Sequence, residues 1–274
     1  TNLVELNAAA LIGSLGQPAQ YAGGSVKGQP RKAAIIAPNT PVYQECANAA
    51  LDKIRDSGND AEKFDYTLDL TSSAKQASDI MDQLIAKNVT SVLLGCDPFL
   101  IINLAIEAKK RDYFPEWVVV GVVLSDADMV AQLFQQDEWA HAFGVSMLGP
   151  QTDRRAGYGY AAYKQAHPES EPSLTVDLLY FQLYQVIIGI QMAGPKLTPA
   201  TFGEGMFRYP GGTGLAGTWH FGPGDYTAQD DGMIVYWDPN AISQYNGAPG
   251  AYIQASERFT AATAPAQLPP LFGQ

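Results

Sequence analysis

Lys32-Ala-Ala-Ile-Ile-Ala-Pro-Asn-Thr-Pro-Val-Tyr43, followed by a helical period in which Cys46, Ala50 and Ile54 recur four residues apart, decides how this chain is organised. The apolar run from Lys32 to Ala37 is short and continuous, the pattern of a strand buried on both faces of a parallel sheet. The helix opens near Gln44, and Gly58 supplies its stop. Strand, loop and helix make one βα unit, with the loop Pro38 to Tyr43 at the carboxyl end of its strand. In open α/β sheets ligands bind at that edge.

The alternation continues on both sides of this unit. Leu3, Leu6, Ala10 and Leu11 follow Asn2 at helical spacing, and Gly16 to Pro30 is a glycine- and proline-rich loop. Phe64, Tyr66, Leu68 and Leu70 alternate with polar residues, predicting a half-buried strand. Ser73 and Gln76 form a capping-box pattern ahead of the apolar stripe Ala77, Ile80, Met81, Leu84 and Ile85. Ser91 to Leu94 reads as a buried strand that Gly95-Cys-Asp-Pro98 turns into a helix, Phe99 to Lys110. Trp117 to Leu124 is the most hydrophobic strand, Ser125-Asp-Ala-Asp128 caps a helix running to about Gln135, and Ala142 to Leu148 closes the series. Residues 1–149 thus predict an α/β domain, a parallel sheet flanked by helices.

The pattern changes beyond Gly149-Pro150. Residues 150–217 hold three consecutive helices, Arg154 to His167, Leu174 to Ala193 and Thr198 to Phe207, rich in aromatics and without a sheet of their own to cover. Gly211 to Gly217 is a flexible connection that lacks the strand-to-helix setting of a phosphate loop. Residues 218–274 predict two strands, Thr218 to Phe221 and Met233 to Trp237, joined through Gly222-Pro-Gly-Asp225 and an acidic loop. From Asn240 onward an extended surface tail is expected.

Bulk properties narrow the function. The 274 residues are 46% hydrophobic and 16% charged, enough for a substantial core. A net charge of −11 argues against nucleic acid and anionic membrane surfaces, which demand clustered cations. Leu178 to Ala193 is interrupted by Gln182, Gln185 and Gln191, is shorter than the roughly 20 residues of a span, and reads as a buried helix. His141, His167 and His220 have no metal-ligand spacing, and Asp225, Asp230 and Asp231 match no EF-hand loop; no cofactor or metal is expected. A start at Thr1, without an initiator Met or a signal-like segment, gives the expectation of a processed or truncated product.

Taken together, several stretches resemble a known family. Lys32 to Tyr43 resembles the strand and loop opening the second lobe of type I periplasmic solute-binding proteins, the branched-chain amino-acid-binding group of ABC transporters. Ala156-Gly-Tyr-Gly-Tyr-Ala-Ala-Tyr-Lys164, His167-Pro168 and Leu178 to Ala193 resemble the family's helices after the chain returns to the first lobe. Trp219-His-Phe-Gly-Pro-Gly-Asp225 and Val235-Tyr-Trp-Asp-Pro239 are similar to its closing strands. The resemblance implies one complete lobe, residues 1–149, then helices 150–217 belonging to the other lobe, then strands and a tail, 218–274. It also implies that most of the first lobe is encoded ahead of Thr1 and is present as a separate polypeptide or lost. The function implied is extracytoplasmic capture of an amino acid, amide or aromatic compound for an ABC importer and its permease, by hinge closure and without catalysis. A ligand-sensing domain of a receptor or regulator is the alternative, and a cleft enzyme using Cys96 the less favoured one.

The family's ligand contacts fall on Tyr43 in the first loop, with Asn39 on the same wall, on Cys96 or Asp97 in the second, and on Ser125 or Asp126 in the third. Asp97 and Asp126 also suit helix N-caps. If the strand order is 2-1-3, Cys46 and Cys96 share one sheet edge. A disulfide there would contribute about 4 kcal/mol by closing a ~50-residue loop and would fit an extracytoplasmic compartment; the other reading is two buried thiols.

Overall fold

β1 (Lys32–Pro38) holds five successive side chains, Ala33 to Ala37, at 2% exposure or less. Parallel partners flank it, β2 (Asp60–Tyr66) on one side and β3 (Ser91–Leu94) on the other, with Ile35 opposite both Lys63 and Leu93. In this computed structural model residues 11–273 are described, except 17, 149, 150, 215, 216, 226, 230 and 261. Leu3, Leu6 and Ala10 of the expected first helix, Gly149-Pro150 and Asp230 lie outside the described residues. The chain divides into two compact units, one of Thr1–Ser146, Gly232–Ser243 and Gly247–Gln274, the other of Met147–Asp231 and Gln244–Asn246.

In the first unit β4 (Glu116–Val119) and β5 (Ala142–Ser146) continue the parallel sheet beyond β3. Two strands of the second unit, β6 (Gly212–Gly214) and β7 (Gly217–Trp219), form a separate hairpin. β8 (Met233–Ile242) then pairs antiparallel with β5, and β9 (Pro249–Gln254) antiparallel with β8. The order is β2-β1-β3-β4-β5-β8-β9. Ala34, Ile36, Val92, Leu94, Trp117 and Val119 project from one face into a cluster with Met81 and Leu84 of helix Ser73–Ala86 and Leu100 and Leu104 of helix Pro98–Lys110. Period-two alternation of these side chains meets the helical stripes, so the fold is a mostly parallel α/β sheet flanked by helices, as the sequence pattern predicts.

Several boundaries differ from expectation. Helix Pro41–Asp56 begins three residues before Gln44, because proline suits a first helical position. Its buried line is Ala47, Ala50, Leu51 and Ile54, which leaves Cys46 on the flank. Of the two readings of the cysteines, the Cys46–Cys96 disulfide is absent: both are free thiols, Cys96 turned into the sheet core and Cys46 half-buried beside the buried stripe. β2 ends at Tyr66, so Leu68 and Leu70 are exposed loop residues. β4 ends at Val119 because Gly121 turns the chain at φ 74°, and two short helices, Asp128–Ala131 and Gln136–Trp139, replace the single expected one. β9 lies where a surface tail is expected. Further on, Leu271 is fully buried and Phe272 packs on Tyr21, Phe143 and Tyr236, so apolar burial overrides the Pro/Gly-rich composition.

At the amino-terminal ends of the strands, a buried ion pair fastens the loop before β1. Arg31 and Glu116 have no exposed side-chain surface and meet at 2.6 Å. Ser91 Oγ and the Tyr21 amide also donate to Glu116, at 2.6 and 3.0 Å, and Arg31 donates to the carbonyls of Gly16 and Pro18. Such a pair survives burial because hydrogen bonds satisfy both partners.

The second unit packs helices Tyr158–Ala166, Val176–Ala193 and Pro199–Arg208 with the β6–β7 hairpin. Its small core joins Ile188, Met206 and Trp219, with Tyr209 stacked on Trp219 at 5.0 Å. The expected strand Thr218 to Phe221 instead pairs with the glycine-rich segment before it. Val176–Ala193 is not the buried helix the sequence predicts. Leu179, Leu183, Val186, Ile187 and Ile190 are 44–63% exposed, and by length and composition the helix is apolar enough to cross a membrane. Its exposed apolar face follows from its neighbours: among the described residues of this unit the sheet is the pair β6 and β7, three residues each.

Candidate functional site

The carboxyl ends of the parallel strands bring four loops to one edge of the first unit, within 39–40, 67–72, 95–97 and 120–127. Asn39 is exposed; its amide N–H donates to the Tyr66 carbonyl (2.8 Å) and its Nδ2 to Thr67 Oγ1 (3.0 Å), joining the first two loops. Tyr43 is half-buried on the first turn of helix Pro41–Asp56. Thr40, at the N-cap of that helix, makes no side-chain cap, and its buried Oγ1 has no hydrogen-bond partner. A 16-residue helix therefore points an N-terminus without a side-chain cap at this edge; Pro41 has no N–H and the Tyr43 and Gln44 amides donate to the Thr40 carbonyl (both 3.1 Å), so Val42 carries the first-turn donor.

At the second loop the two alternatives separate. Cys96 is completely buried, burial pushes its thiol pKa up, and the neighbouring Asp97 carboxylate pushes the same way. A thiol so placed carries little thiolate, the form needed for nucleophilic chemistry. Asp97 stands at the rim as the N-cap of helix Pro98–Lys110, accepting from the amides of Phe99 (2.9 Å) and Leu100 (3.2 Å). The Tyr66 hydroxyl donates to its other oxygen (2.7 Å) and accepts from its amide (3.0 Å), and burial raises the Tyr66 pKa. This clamp locks the second and third strand ends together.

The third loop is strained. Val123 (φ 49°, ψ 47°) and Leu124 (φ 62°) occupy the left-handed region, which costs a β-branched residue about 1–2 kcal/mol. The turn drives Ser125 and Asp126 inward, to 0% and 3% exposure. Asp126 does not cap a helix: Ser146 Oγ donates to it at 2.6 Å, and a side chain on Gly121 would meet its carboxylate at 3.0 Å. Ser125 lends its carbonyl to the Tyr252 hydroxyl (2.7 Å), while its buried Oγ has no hydrogen-bond partner. Asp128 accepts from Ser243 Oγ (2.6 Å) and the Tyr252 amide (2.9 Å), and burial raises its pKa.

The orphaned hydroxyls of Thr40 and Ser125 thus lie on an edge whose loops hold Asp69, Asp97 and Asp126 but no Lys or Arg. Thr40, Tyr66 and Tyr252 are the residues that sequence reasoning misses here. A threonine directly before a helix-opening proline is the signal that marks Thr40. Among the described residues no group of three or more His, Cys, Asp or Glu side chains is arranged to hold a metal ion.

Solved structures share this fold. One is the solute-binding protein of an ABC transporter from Rhodopseudomonas palustris in complex with 3,4-dihydroxybenzoic acid: 12% identity, TM-score 0.62, over 94% of this chain and 65% of that one. A fatty acid ABC transporter substrate-binding protein from Thermomonospora curvata matches at 14% identity and TM-score 0.63, over 88% and 60%. A leucine-binding protein from Thermotoga maritima matches at 12% identity and TM-score 0.61, over 93% and 66%. The fold is that of type I periplasmic binding proteins. The chain spans less than two thirds of the length of each of these three. No protein-family model and no curated protein matches the sequence.

Proposed function

We propose that this chain is the larger part of an extracytoplasmic solute-binding protein that captures a small molecule for an ABC importer and hands it to the permease. The observation that carries the reading is the likeness, over 88–94% of the chain, to substrate-binding proteins of ABC transporters. In this reading the seven-stranded unit supplies one jaw of the binding cleft. Tyr43 offers a flat wall, the Asn39 side-chain amide and the Val42 N–H offer donors, and Asp97 completes the rim, while Ser125 and Asp126 brace the third loop from inside. Loops without cations favour an amino acid, an amide or a neutral or amine-bearing aromatic compound over a dianion.

The second unit carries helices whose apolar faces call for a sheet. We assign that sheet to a first α/β lobe contributed by another polypeptide or another part of the gene. Solute bridging the two lobes buries its surface and shifts the population from open to closed, with no bond made or broken. The buried, proton-retaining Cys96 supports a non-enzymatic reading. Thermal-shift screening of the complete two-lobed protein against amino acids, amides and aromatic acids tests the proposal. A raised melting temperature with one of these classes is expected; a shift with phosphorylated compounds alone, or chemical turnover of the solute, overturns it.

A further inference from the structure

The same edge of the first unit carries a concavity at the open ends of β2 and β3. It is a cleft of about 230 Å³ between Tyr66, the loop 67–72, the first turn of helix Ser73–Ala86, and Asp97 with Phe99. Leu68, Leu70 and Phe99 face it at 48%, 67% and 57% exposure. Single exposed apolar residues are ordinary, but three converging on one cleft mark a recognition site.

The loop that bears the leucines is held in shape. The Gln76 side-chain amide grips Thr67 from both sides, accepting from its N–H at 2.7 Å and donating to its carbonyl at 3.0 Å. Asp69 accepts from the Thr71 amide (2.9 Å), the Thr71 hydroxyl (2.8 Å) and the Ser72 hydroxyl (2.7 Å). Little ordering entropy remains to be lost on binding.

The occupant follows from charge and from polar satisfaction. Asp69 and Asp97 are the charged residues lining the cleft, and no Lys or Arg lines it. In a chain of net charge −11 this repels anionic surfaces and attracts cations. Among the described residues none of the lining side chains is a buried polar group lacking a partner, so nothing waits to orient a small polar solute. We propose that this cleft is a docking site for a basic polypeptide segment of a partner protein, which seats one aliphatic or aromatic side chain against Leu68, Leu70 and Phe99 and sets flanking Lys or Arg beside Asp69 and Asp97. The cleft shares Asp97 and the loop 67–72 with the edge described above, and the inference rests on the cleft's own apolar and acidic lining, not on capture of a solute.

Two fluorescein-labelled hexapeptides test it by anisotropy on the full chain: Lys-Arg-Leu-Trp-Arg-Lys and its charge-reversed counterpart Glu-Asp-Leu-Trp-Asp-Glu. The basic peptide is expected to bind about tenfold or more tightly than the acidic one and to weaken as salt is raised. Leu70→Ser and Phe99→Ser, both at exposed positions, should each weaken it about tenfold, while Leu183→Ser in the second unit should leave it unchanged. Equal binding of both peptides, binding unaltered by Leu70→Ser and Phe99→Ser, or no binding of either overturns the proposal. So does occupancy by N-acetyl-leucinamide or indole as tight as by the basic peptide, which would assign the cleft to a small solute.

Discussion

Glu138→Gln is expected to stabilise the protein, and increasingly so as pH rises. Glu138 lies in helix Gln136–Trp139 with its side chain sealed from solvent. Trp117 Nε1 donates to its Oε2 at 3.4 Å, and its Oε1 meets no donor. Burial therefore favours the neutral acid and pushes its pKa up to about 8, with Asp137 and Asp112 acting in the same direction and Trp117 and Lys109 opposing. Lys109 is already engaged by Asp137 at 2.7 Å. An unfolded glutamate titrates near 4.5, so between that value and about 8 the folded chain keeps a proton that the unfolded chain has released. Stability must fall as pH climbs through this window, by at most ~1.4 kcal/mol per pH unit, and level off above it. The full titration is worth on the order of 5 kcal/mol. Glutamine is neutral throughout and still accepts from Trp117, so the variant lacks the slope. Urea unfolding followed by tryptophan fluorescence, run near pH 5, 7 and 9, is the assay. The two proteins should agree within about 1 kcal/mol near pH 5, with the variant ahead by about 4–5 kcal/mol near pH 9. A difference that stays constant across the range, or a wild type that leads near pH 9, refutes the reasoning.

Other consequences are as direct. Arg31→Met leaves Glu116 buried without its cation and should cost about 3–5 kcal/mol in chemical denaturation, much of which Arg31→Met combined with Glu116→Leu should restore. Val123→Gly removes the left-handed strain and should add about 1 kcal/mol of stability; a lowered melting temperature would mean that the turn is not strained. Under denaturing, non-reducing conditions two thiols should titrate, and in the native protein Cys96 should stay unreactive because it is fully buried. Zero thiols in denaturant would restore the disulfide.

The parallel core was legible because its signals are local. The continuous apolar run of β1, the stripe of Ser73–Ala86 and the four residues of β3 each combine a period with a boundary residue, and all three elements lie where the pattern puts them. The ends of β2 and β4 were not legible for a shared reason: hydrophobicity outlasts hydrogen bonding. Leu68 and Leu70 continue an alternation past the last ladder pair, and Val122 to Leu124 continue an apolar run past Gly121. β9 hides in a Pro/Gly-rich segment because its pairing with β8, not its propensity, makes it a strand. At the site, Tyr43, Asn39 and Asp97 reach the edge that the loops predict, while Cys96, Ser125 and Asp126 turn inward. Which way such a side chain faces depends on backbone angles two or three residues earlier, a quantity that residue type alone does not carry.

The central claim is that the exposed face of Val176–Ala193 belongs against a second lobe. Sedimentation velocity of this chain alone and of the two-lobed protein, with hydrogen exchange read over that helix, tests it most directly. The account predicts self-association and weak protection of the helix in the chain alone, and a protected helix in a two-lobed monomer. A stable 29.5 kDa monomer whose helix Val176–Ala193 is fully protected without a second lobe would contradict it.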